Sequence, residues 1–229
     1  MATLKNSFQR PLTVMLGFAA LIIVLEVSGL KFDLAETFFS WEGERWSLRN
    51  HFITKTILHE TVRWLNIVAV LGLLLVTVYQ YIGRPFATDK HRYALLLISV
   101  LFSFGLVNYF KYILGMDCPW DLQQFGGSQP YVPLWQFRPE DQAAGRCFPA
   151  GHSSIGFAWI ALYFFWRQRY PHRARKAFVT ALIIGFILGL SQQLRGAHFF
   201  IDDVTTAFIC WCIPAIIFHI GDANASVQR

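Results

Sequence analysis

The chain has 229 residues, of which 55% are hydrophobic and only 15% are charged, and its mean hydropathy is +0.40. Soluble domains carry about a quarter charged residues, so a large soluble domain is excluded and one integral membrane domain, 1–229, is expected. The net charge of +6 does not indicate nucleic-acid binding, because the basic residues cluster in short loops between apolar runs, as topology signals do.

Six apolar stretches predict transmembrane helices, since a helix needs about 20 apolar residues to cross the hydrocarbon core. In chain order they are 12–30, 64–82, 93–110, 153–166, 177–194 and 204–220. The fourth is short unless its helix continues to Gln168. No small-residue cleavage site follows the first, which is therefore read as a span and not as a signal peptide. The predicted fold is an all-α polytopic membrane protein with six transmembrane helices.

The distribution of Lys and Arg predicts the orientation. Eleven lie in the two tails and in the short loops 84–92 and 167–176, against nine spread over longer segments. The positive-inside rule then places both termini in the cytoplasm of a bacterial inner membrane. Segment 31–63, which mixes aromatic and charged residues, is predicted to be an outward-facing interfacial segment, and 115–151 an ordered loop.

Strongly polar residues gather on this outward, periplasmic side. Lys111 ends the third span, His152 begins the fourth, and Arg195, His198 and Asp202 lie between the fifth and the sixth. Ionisable residues in or beside spans are costly and indicate function by default. Chance would scatter them to both sides, so their common predicted depth favours a site.

The turn Pro149-Ala150-Gly151-His152 leads directly into the fourth helix. The unpaired amides of a helix start favour an anion, and Gly151 lets a phosphate approach the backbone. His152 is positioned to donate a proton to a leaving oxygen. An ordinary capped helix start with a surface histidine is the alternative.

His198 and Asp202 are four residues apart, which places them on one face of a helix. A carboxylate on one ring nitrogen fixes the tautomer and leaves the other nitrogen a better nucleophile. A structural hydrogen-bonded pair is the alternative. Lys111 and Arg195 supply positive charge for phosphate oxygens, and the alternative for each is a cation that reaches the lipid headgroups.

These residues resemble the type 2 phosphatidic acid phosphatase superfamily, the membrane lipid phosphatases related to glucose-6-phosphatase and vanadium haloperoxidases. That family carries Lys-x6-Arg-Pro, Pro-Ser-Gly-His and Ser-Arg-x5-His-x3-Asp in this order. The corresponding blocks here, within about 111–203, are Lys111-x6-Cys118-Pro119, Pro149-Ala150-Gly151-His152 and Ser191-Gln192-x5-His198-x3-Asp202.

The resemblance implies a phosphatase mechanism. His198 would attack phosphorus and form a phosphohistidine, Asp202 would orient His198, and His152 would protonate the leaving group. The phosphoryl oxygens would be held by Lys111, Arg195 and the amides near Gly151. The resemblance implies no metal or other cofactor.

Three positions depart from the family pattern, and they are Cys118, Ala150 and Gln192. Arg195 is expected to serve for the arginine missing at Gln192, and Ser153 or Ser154 for the missing hydroxyl. Candidates for the charge missing at Cys118 are Arg138 and Arg146.

Cys118 and Cys147 both lie in the outward loop, which is oxidising if that side is the periplasm. A disulfide between them would join the first two blocks, and free buried thiols are the alternative. Near the start of the second span, His59, Glu60 and Arg63 are candidates for headgroup recognition, although surface helix residues show the same pattern.

The predicted function is therefore a membrane lipid phosphatase acting on a phosphomonoester or pyrophosphate at the periplasmic leaflet. A lipid-to-lipid phosphotransferase keeps the same site. A non-catalytic lipid-phosphate binder or transporter is a second alternative, and the loss of the family's Arg and Ser is the observation in its favour. Compatible substrates are undecaprenyl pyrophosphate, phosphatidylglycerol phosphate, phosphatidic acid and lipid A.

Overall fold

The structure is a computed structural model that describes residues 2–84, 89–136, 138–139 and 144–227, with the side chains of 2–11 and 224–227 left aside. Three basic residues of the tails that support the predicted orientation lie outside the described side chains, and they are Lys5, Arg10 and Arg229.

The regular secondary structure of the described ranges is helical, which confirms the all-α prediction. The α-helices are α1 (Ala2–Val27), α2 (Leu30–Trp41), α3 (Val62–Ile82), α4 (Lys90–Leu114), α5 (Ser154–Phe157), α6 (Ala161–Trp166), α7 (Pro171–Gln193) and α8 (Phe200–Val227). A π-helix, Ile53–Thr61, runs directly into α3. Short 3-10 turns are Ser47–Asn50, Pro119–Asp121, Gln123–Phe125 and Ala158–Ile160.

The described helices make the chain a multi-pass membrane protein. Four helical stretches are long and apolar enough to cross a membrane, and they are Ile53–Ile82, Lys90–Asp121, Pro171–Gln193 and Phe200–Ala223. A fifth results if the bent pair Leu12–Val27 and Leu30–Trp41 counts as one span. The remaining predicted span, Ser154–Trp166, is shorter; it reaches about 20 Å against about 30 Å of hydrocarbon. The count of six stays a prediction.

The segment predicted to be interfacial begins with a sharp bend. Gly29 has a φ of 75°, a left-handed conformation that glycine adopts without strain, and α2 leaves α1 at 63°. The buried residues of α2 are spaced four apart, so they form one face, and they are Lys31, Ala35 and Phe39. This face packs on an aromatic cluster that includes Phe125 and Phe199, at the end of the bundle where α8 begins.

A second core lies deeper, between α4, α6 and α8. Its largest fully buried side chains are Phe157, Phe164 and Phe218, with Val100 of α4 beside them. By contrast, α3 leaves most of its apolar side chains exposed, with only 6% of its apolar window buried. The helices after residue 90 therefore carry most of this buried core, and α3 lies at its edge.

Candidate active site

A cavity of about 620 Å³ opens at one end of the bundle, between α3, α4 and the start of α5. The structure brings together residues that are distant in the sequence, because those lining the cavity include Lys111, Gly151, His152 and His198. The other wall of the cavity comes from α3 and the π-helix before it, with His59, Arg63 and Asn66.

His198 and Asp202 meet, but not along a helix face. His198 precedes α8, and its Nδ1 lies 3.2 Å from Asp202 Oδ2, an oxygen that also accepts the Phe199 N–H at 2.9 Å. The turn before it depends on Gly196, which has a φ of 68°; a Cβ there would come 2.3 Å from the Trp46 ring. The same Asp202 oxygen therefore stabilises the start of α8 and fixes the orientation of the His198 imidazole.

The environment of His198 keeps its ring neutral. Burial lowers the pKa of His198 well below its usual value, and the nearby Lys111 ammonium lowers it further, while the nearby backbone of Cys147 raises it. With Nδ1 engaged by Asp202, the proton belongs on that nitrogen and Nε2 carries the lone pair.

His152 is fixed by the π-helix that precedes α3. Its Nε2–H donates to the Leu58 carbonyl oxygen at 2.6 Å, and its ring stacks on His59 with centroids 4.6 Å apart. Burial lowers the pKa of His152 to about 3; the charge of His59 lowers it too, and the Leu58 carbonyl raises it. Nδ1 is the nitrogen left for a substrate.

Lys111 and Gly151 meet across the cavity floor. A Cβ on Gly151 would lie 3.3 Å from Lys111 Nζ, so the absence of a side chain leaves room between the ammonium and the backbone. Cation and backbone therefore face the same small volume, as a phosphate site requires.

Arg195 does not line the cavity itself. Its Nε donates to the Arg49 carbonyl oxygen at 2.9 Å, and one terminal nitrogen donates to Gln192 Oε1 at 2.9 Å. Burial lowers the pKa of Arg195, and the charge of Arg49 lowers it further. Gln192 is the lining residue, and the Arg195 guanidinium lies behind it, where its charge still lowers the pKa of His152 and of His198.

The two serines after His152 have different environments. Ser154 lines the cavity, and its hydroxyl donates to the Gly151 carbonyl oxygen at 2.5 Å. Ser153, predicted to bind phosphate, is fully buried, and its hydroxyl donates to the Ala150 carbonyl oxygen at 3.2 Å. Of the two, Ser154 is positioned to replace the hydroxyl that the family has at Ala150.

Cys118 and Cys147 form a disulfide in the structure, with Cα atoms 5.1 Å apart. The bond joins the segment after α4 to the segment before His152. Of the two candidates for extra charge, Arg138 donates to Asp117 at 2.8 Å and to the Gly115 carbonyl oxygen. Arg146 lies over the Tyr112 ring at 5.7 Å. Arg138 therefore braces the loop.

A buried charged cluster lies on the other side of Asp202. Lys31 pairs with Glu26 at 2.7 Å and donates to the Tyr131 hydroxyl at 2.5 Å, and that hydroxyl donates to Glu26 at 3.1 Å. Lys31 and Asp202 line the same small internal cavity. Glu26 is thus largely shielded from solvent, and its spacing from Tyr131 in the sequence gives no signal of the contact.

The comparisons with known proteins agree with this geometry. A family model described as the PAP2 superfamily matches residues 92–226, more than half of the chain. A crystal structure of a transmembrane PAP2 type phosphatidylglycerolphosphate phosphatase from Bacillus subtilis matches with a TM-score of 0.56 and 15% identity, over 93% of this chain and 96% of that chain. At this identity the likeness shows the fold.

Two curated relatives match over shorter ranges. Lipid A 4'-phosphatase of Francisella tularensis subsp. novicida is 31% identical over 141 residues, 57% of this chain and 61% of the relative. Phosphatidylglycerophosphatase B of Haemophilus influenzae is 26% identical over 99 residues, 42% of this chain and 41% of the relative. The chain therefore spans less than two thirds of either relative.

Proposed function

The chain belongs to the PAP2 superfamily, and on this premise we propose that it is a lipid phosphatase that hydrolyses a phosphomonoester or pyrophosphate through a phosphohistidine. The observation that carries the proposal is the buried His198–Asp202 pair, which faces His152 across one cavity. The relatives named for action on lipid A and on phosphatidylglycerophosphate support a lipid phosphate as substrate.

The first chemical step is attack by His198. Its Nε2 lone pair forms a bond to phosphorus while the bond from phosphorus to the leaving oxygen breaks. Asp202 accepts the Nδ1–H and stabilises the positive charge that develops on the ring. His152 transfers a proton from Nδ1 to the leaving oxygen.

Hydrolysis of the intermediate reverses these roles. His152, now neutral, takes a proton from water as the water oxygen attacks the phosphohistidine, and the bond from nitrogen to phosphorus breaks. Lys111 and the backbone at Gly151 face the volume that the phosphoryl oxygens occupy. These groups are already oriented, so they stabilise the charge spread in the transition state without reorganisation.

Because the pKa of His152 is low, His152 carries its acidic proton only when substrate is bound. With a pKa of about 3 in the empty cavity, His152 is neutral at pH 7 and cannot act as an acid. A phosphate anion placed beside Nδ1 favours the charged imidazolium. Substrate binding then recruits the proton that the leaving group requires.

The apolar part of the cavity supports a lipid substrate. Below His59 and Arg63, the lining continues along α3 and α4 as Ile67, Val70, Leu71 and Phe104. Because α3 is mostly exposed, a lipid tail can enter laterally between the spans while the phosphate meets the histidines. The basic segment 167–176, predicted to be a loop, contains the first turns of α7, at the end of that helix far from the cavity. Its position favours a cytoplasmic location for this end and a periplasmic site in a bacterial inner membrane.

Phosphate release by the purified protein tests the proposal. The substrates are undecaprenyl pyrophosphate, phosphatidylglycerol phosphate, phosphatidic acid and lipid A, with His198→Ala as control. We expect release from at least one lipid, loss of release in the variant, and an acid-labile phosphoprotein after rapid quenching. Activity that survives in His198→Ala contradicts the mechanism, and binding without release from any lipid identifies a lipid-phosphate binder. Phosphate transferred to a second lipid identifies a phosphotransferase.

A further inference from the structure

A groove separates α5–α6 from α7 on the membrane-facing side of the molecule. The helices meet where two glycines face each other, since a Cβ on Gly156 would lie 2.2 Å from the Gly185 nitrogen. Between this contact and the basic start of α7, the helices enclose a groove of about 460 Å³. Its volume falls in the range of about 300–1,000 Å³ that is usual for ligand sites.

The α7 side of the groove is one stripe of the helix. The lining positions follow the i, i+3, i+4, i+7 spacing of a single helix face, and they are Arg173, Lys176, Ala177, Thr180, Ala181 and Ile184. Small alanines in the middle leave the space, and both cations lie at the end near the loop. The stripe is about 16 Å long at 1.5 Å per residue, so it can hold an extended chain below a charged head.

The two cations differ from three arginines nearby, which are paired with carboxylates. Arg92 and Arg167 both pair with Asp222, and Arg169 pairs with Asp89. Within the described part of the chain, Arg173 and Lys176 have no carboxylate partner; the Arg173 guanidinium lies over the Tyr170 ring at 4.9 Å. Their charge is therefore available to an anion from outside the protein.

The short helix Ser154–Trp166 lines the groove along its whole length. Ser154–Trp166 reaches about 20 Å, whereas the hydrocarbon core is about 30 Å thick. Trp159, Leu162 and Trp166 of this helix present apolar surface to the groove. Inside a membrane, lipid has to cover this surface.

We propose that this groove, which starts beside the catalytic cavity at Ile155 and ends at Arg173 and Lys176 near the other end of α7, binds one anionic phospholipid. Its phosphate lies on Arg173 and Lys176, and one acyl chain follows Ala177 and Ala181 toward Gly156. A phospholipid fits because the groove joins an apolar channel to a pair of unneutralised cations. The alternative occupant is the tail of a substrate bound in the catalytic cavity, since Ile155 lines both spaces. Such a tail would place its uncharged methyl end beside the two cations, which would leave their charge unneutralised.

Native mass spectrometry of the full chain in neutral detergent tests the proposal with dioleoyl phosphatidylglycerol and dioleoyl phosphatidylcholine. We expect one tightly retained phosphatidylglycerol that equal phosphatidylcholine does not displace. Arg173→Gln and Lys176→Gln should each weaken retention about tenfold, the usual effect of losing one charged hydrogen bond. Arg175→Gln is the matched control, because it removes the same charge from an exposed position of α7 outside the groove.

A variant that keeps every charge tests the contribution of the apolar groove separately from that of the two cations. Ala177→Leu fills the groove, so it should reduce phosphatidylglycerol retention while gel filtration still shows a monodisperse protein. Equal retention in Arg173→Gln and Arg175→Gln overturns the proposal. Retention unaffected by both Ala177→Leu and Lys176→Gln also overturns it, because the lipid then occupies the catalytic cavity.

Discussion

The two walls of the catalytic cavity are built differently. The wall from 147–155 and 192–203, here named the histidine wall, is almost entirely buried and held by hydrogen bonds. The opposite wall, here named the α3 wall, presents His59, Arg63 and Asn66 from a helix with an exposed outer face. Bond making requires reacting atoms fixed to within a fraction of an ångström, whereas a headgroup can be held by adaptable side chains.

Thr206 of α8 shows how the histidine wall is fixed. Its buried hydroxyl lies 2.8 Å from the Ala150 carbonyl oxygen and 2.9 Å from that of Asp202. The Ala150 N–H donates to the same Asp202 oxygen at 3.2 Å. The backbone at Ala150 and the backbone at Asp202 are therefore bonded directly to each other behind both histidines. The α3 wall contacts this frame through the Leu58 carbonyl oxygen, which accepts from His152.

The largest effect is expected from Asp202→Asn, which tests whether the residues of the histidine wall carry out the chemistry. The amide cannot hold the Nδ1–H tautomer of His198, so kcat should fall by about 10³–10⁴-fold, as in other histidine–aspartate pairs. Steady-state phosphate release measures it. Asp203→Asn is the control, because Asp203 is equally buried but accepts from Gln193 at 2.7 Å. Equal losses of kcat in the two variants would assign Asp202 a structural role only.

Removal of the disulfide should loosen the histidine wall. Cys118→Ser with Cys147→Ser opens a loop with a sequence separation of 29, which costs about 3–4 kcal/mol of unfolding free energy on the chain-entropy model. A fall in kcat should accompany it, because the backbone of Cys147 lies near His198. Thermal unfolding in detergent and phosphate release measure both effects. Cys212→Ala, at a free cysteine, should change neither. Four reactive thiols in unreduced, denatured protein would contradict the bond.

The sequence predicted the histidine wall well because its parts are local. Pro149-Ala150-Gly151-His152 and the spacing of His198 and Asp202 are short patterns whose chemistry can be derived from neighbouring residues. The contact of His198 with Asp202 was predicted correctly, but through a helix face. The structure instead forms it at a helix start, because the Phe199 N–H needs an acceptor and Asp202 supplies it.

The features that could not be predicted depend on contacts between distant elements. Lys31 and Tyr131 meet across 100 residues, and no periodicity of either segment encodes the pair. His59 looks like any surface histidine until the π-helix brings it against His152. Arg195 shows the same limit, since its distance from His198 in the chain suggested direct phosphate contact, whereas its guanidinium is held by Gln192 and the Arg49 carbonyl.

Anion binding should become tighter as the pH falls, which tests whether His152 is charged only in the complex. The pKa of His152 is about 3 when the cavity is empty, so at pH 5–8 the free protein lacks this proton and the complex gains it. One proton taken up with the anion lowers Kd about tenfold for each pH unit, as long as the pH lies below the pKa of His152 in the complex. Titration with sulfate, which stays a dianion over this range, measures it. His152→Gln should abolish the slope, and a slope that persists in this variant would assign the proton elsewhere.

The smallest effect is expected on the α3 wall, and it decides whether the two walls have separate roles. Arg63 is an exposed cation at the cavity, so Arg63→Gln should raise KM several-fold and leave kcat unchanged, and the difference should shrink at high salt. Lys55→Gln, an exposed cation of the π-helix outside the cavity lining, should leave KM unchanged. A fall in kcat at constant KM would mean that Arg63 acts in the transition state. Headgroup recognition and catalysis would then share both walls, and the rigidity of the histidine wall alone would not explain the chemistry.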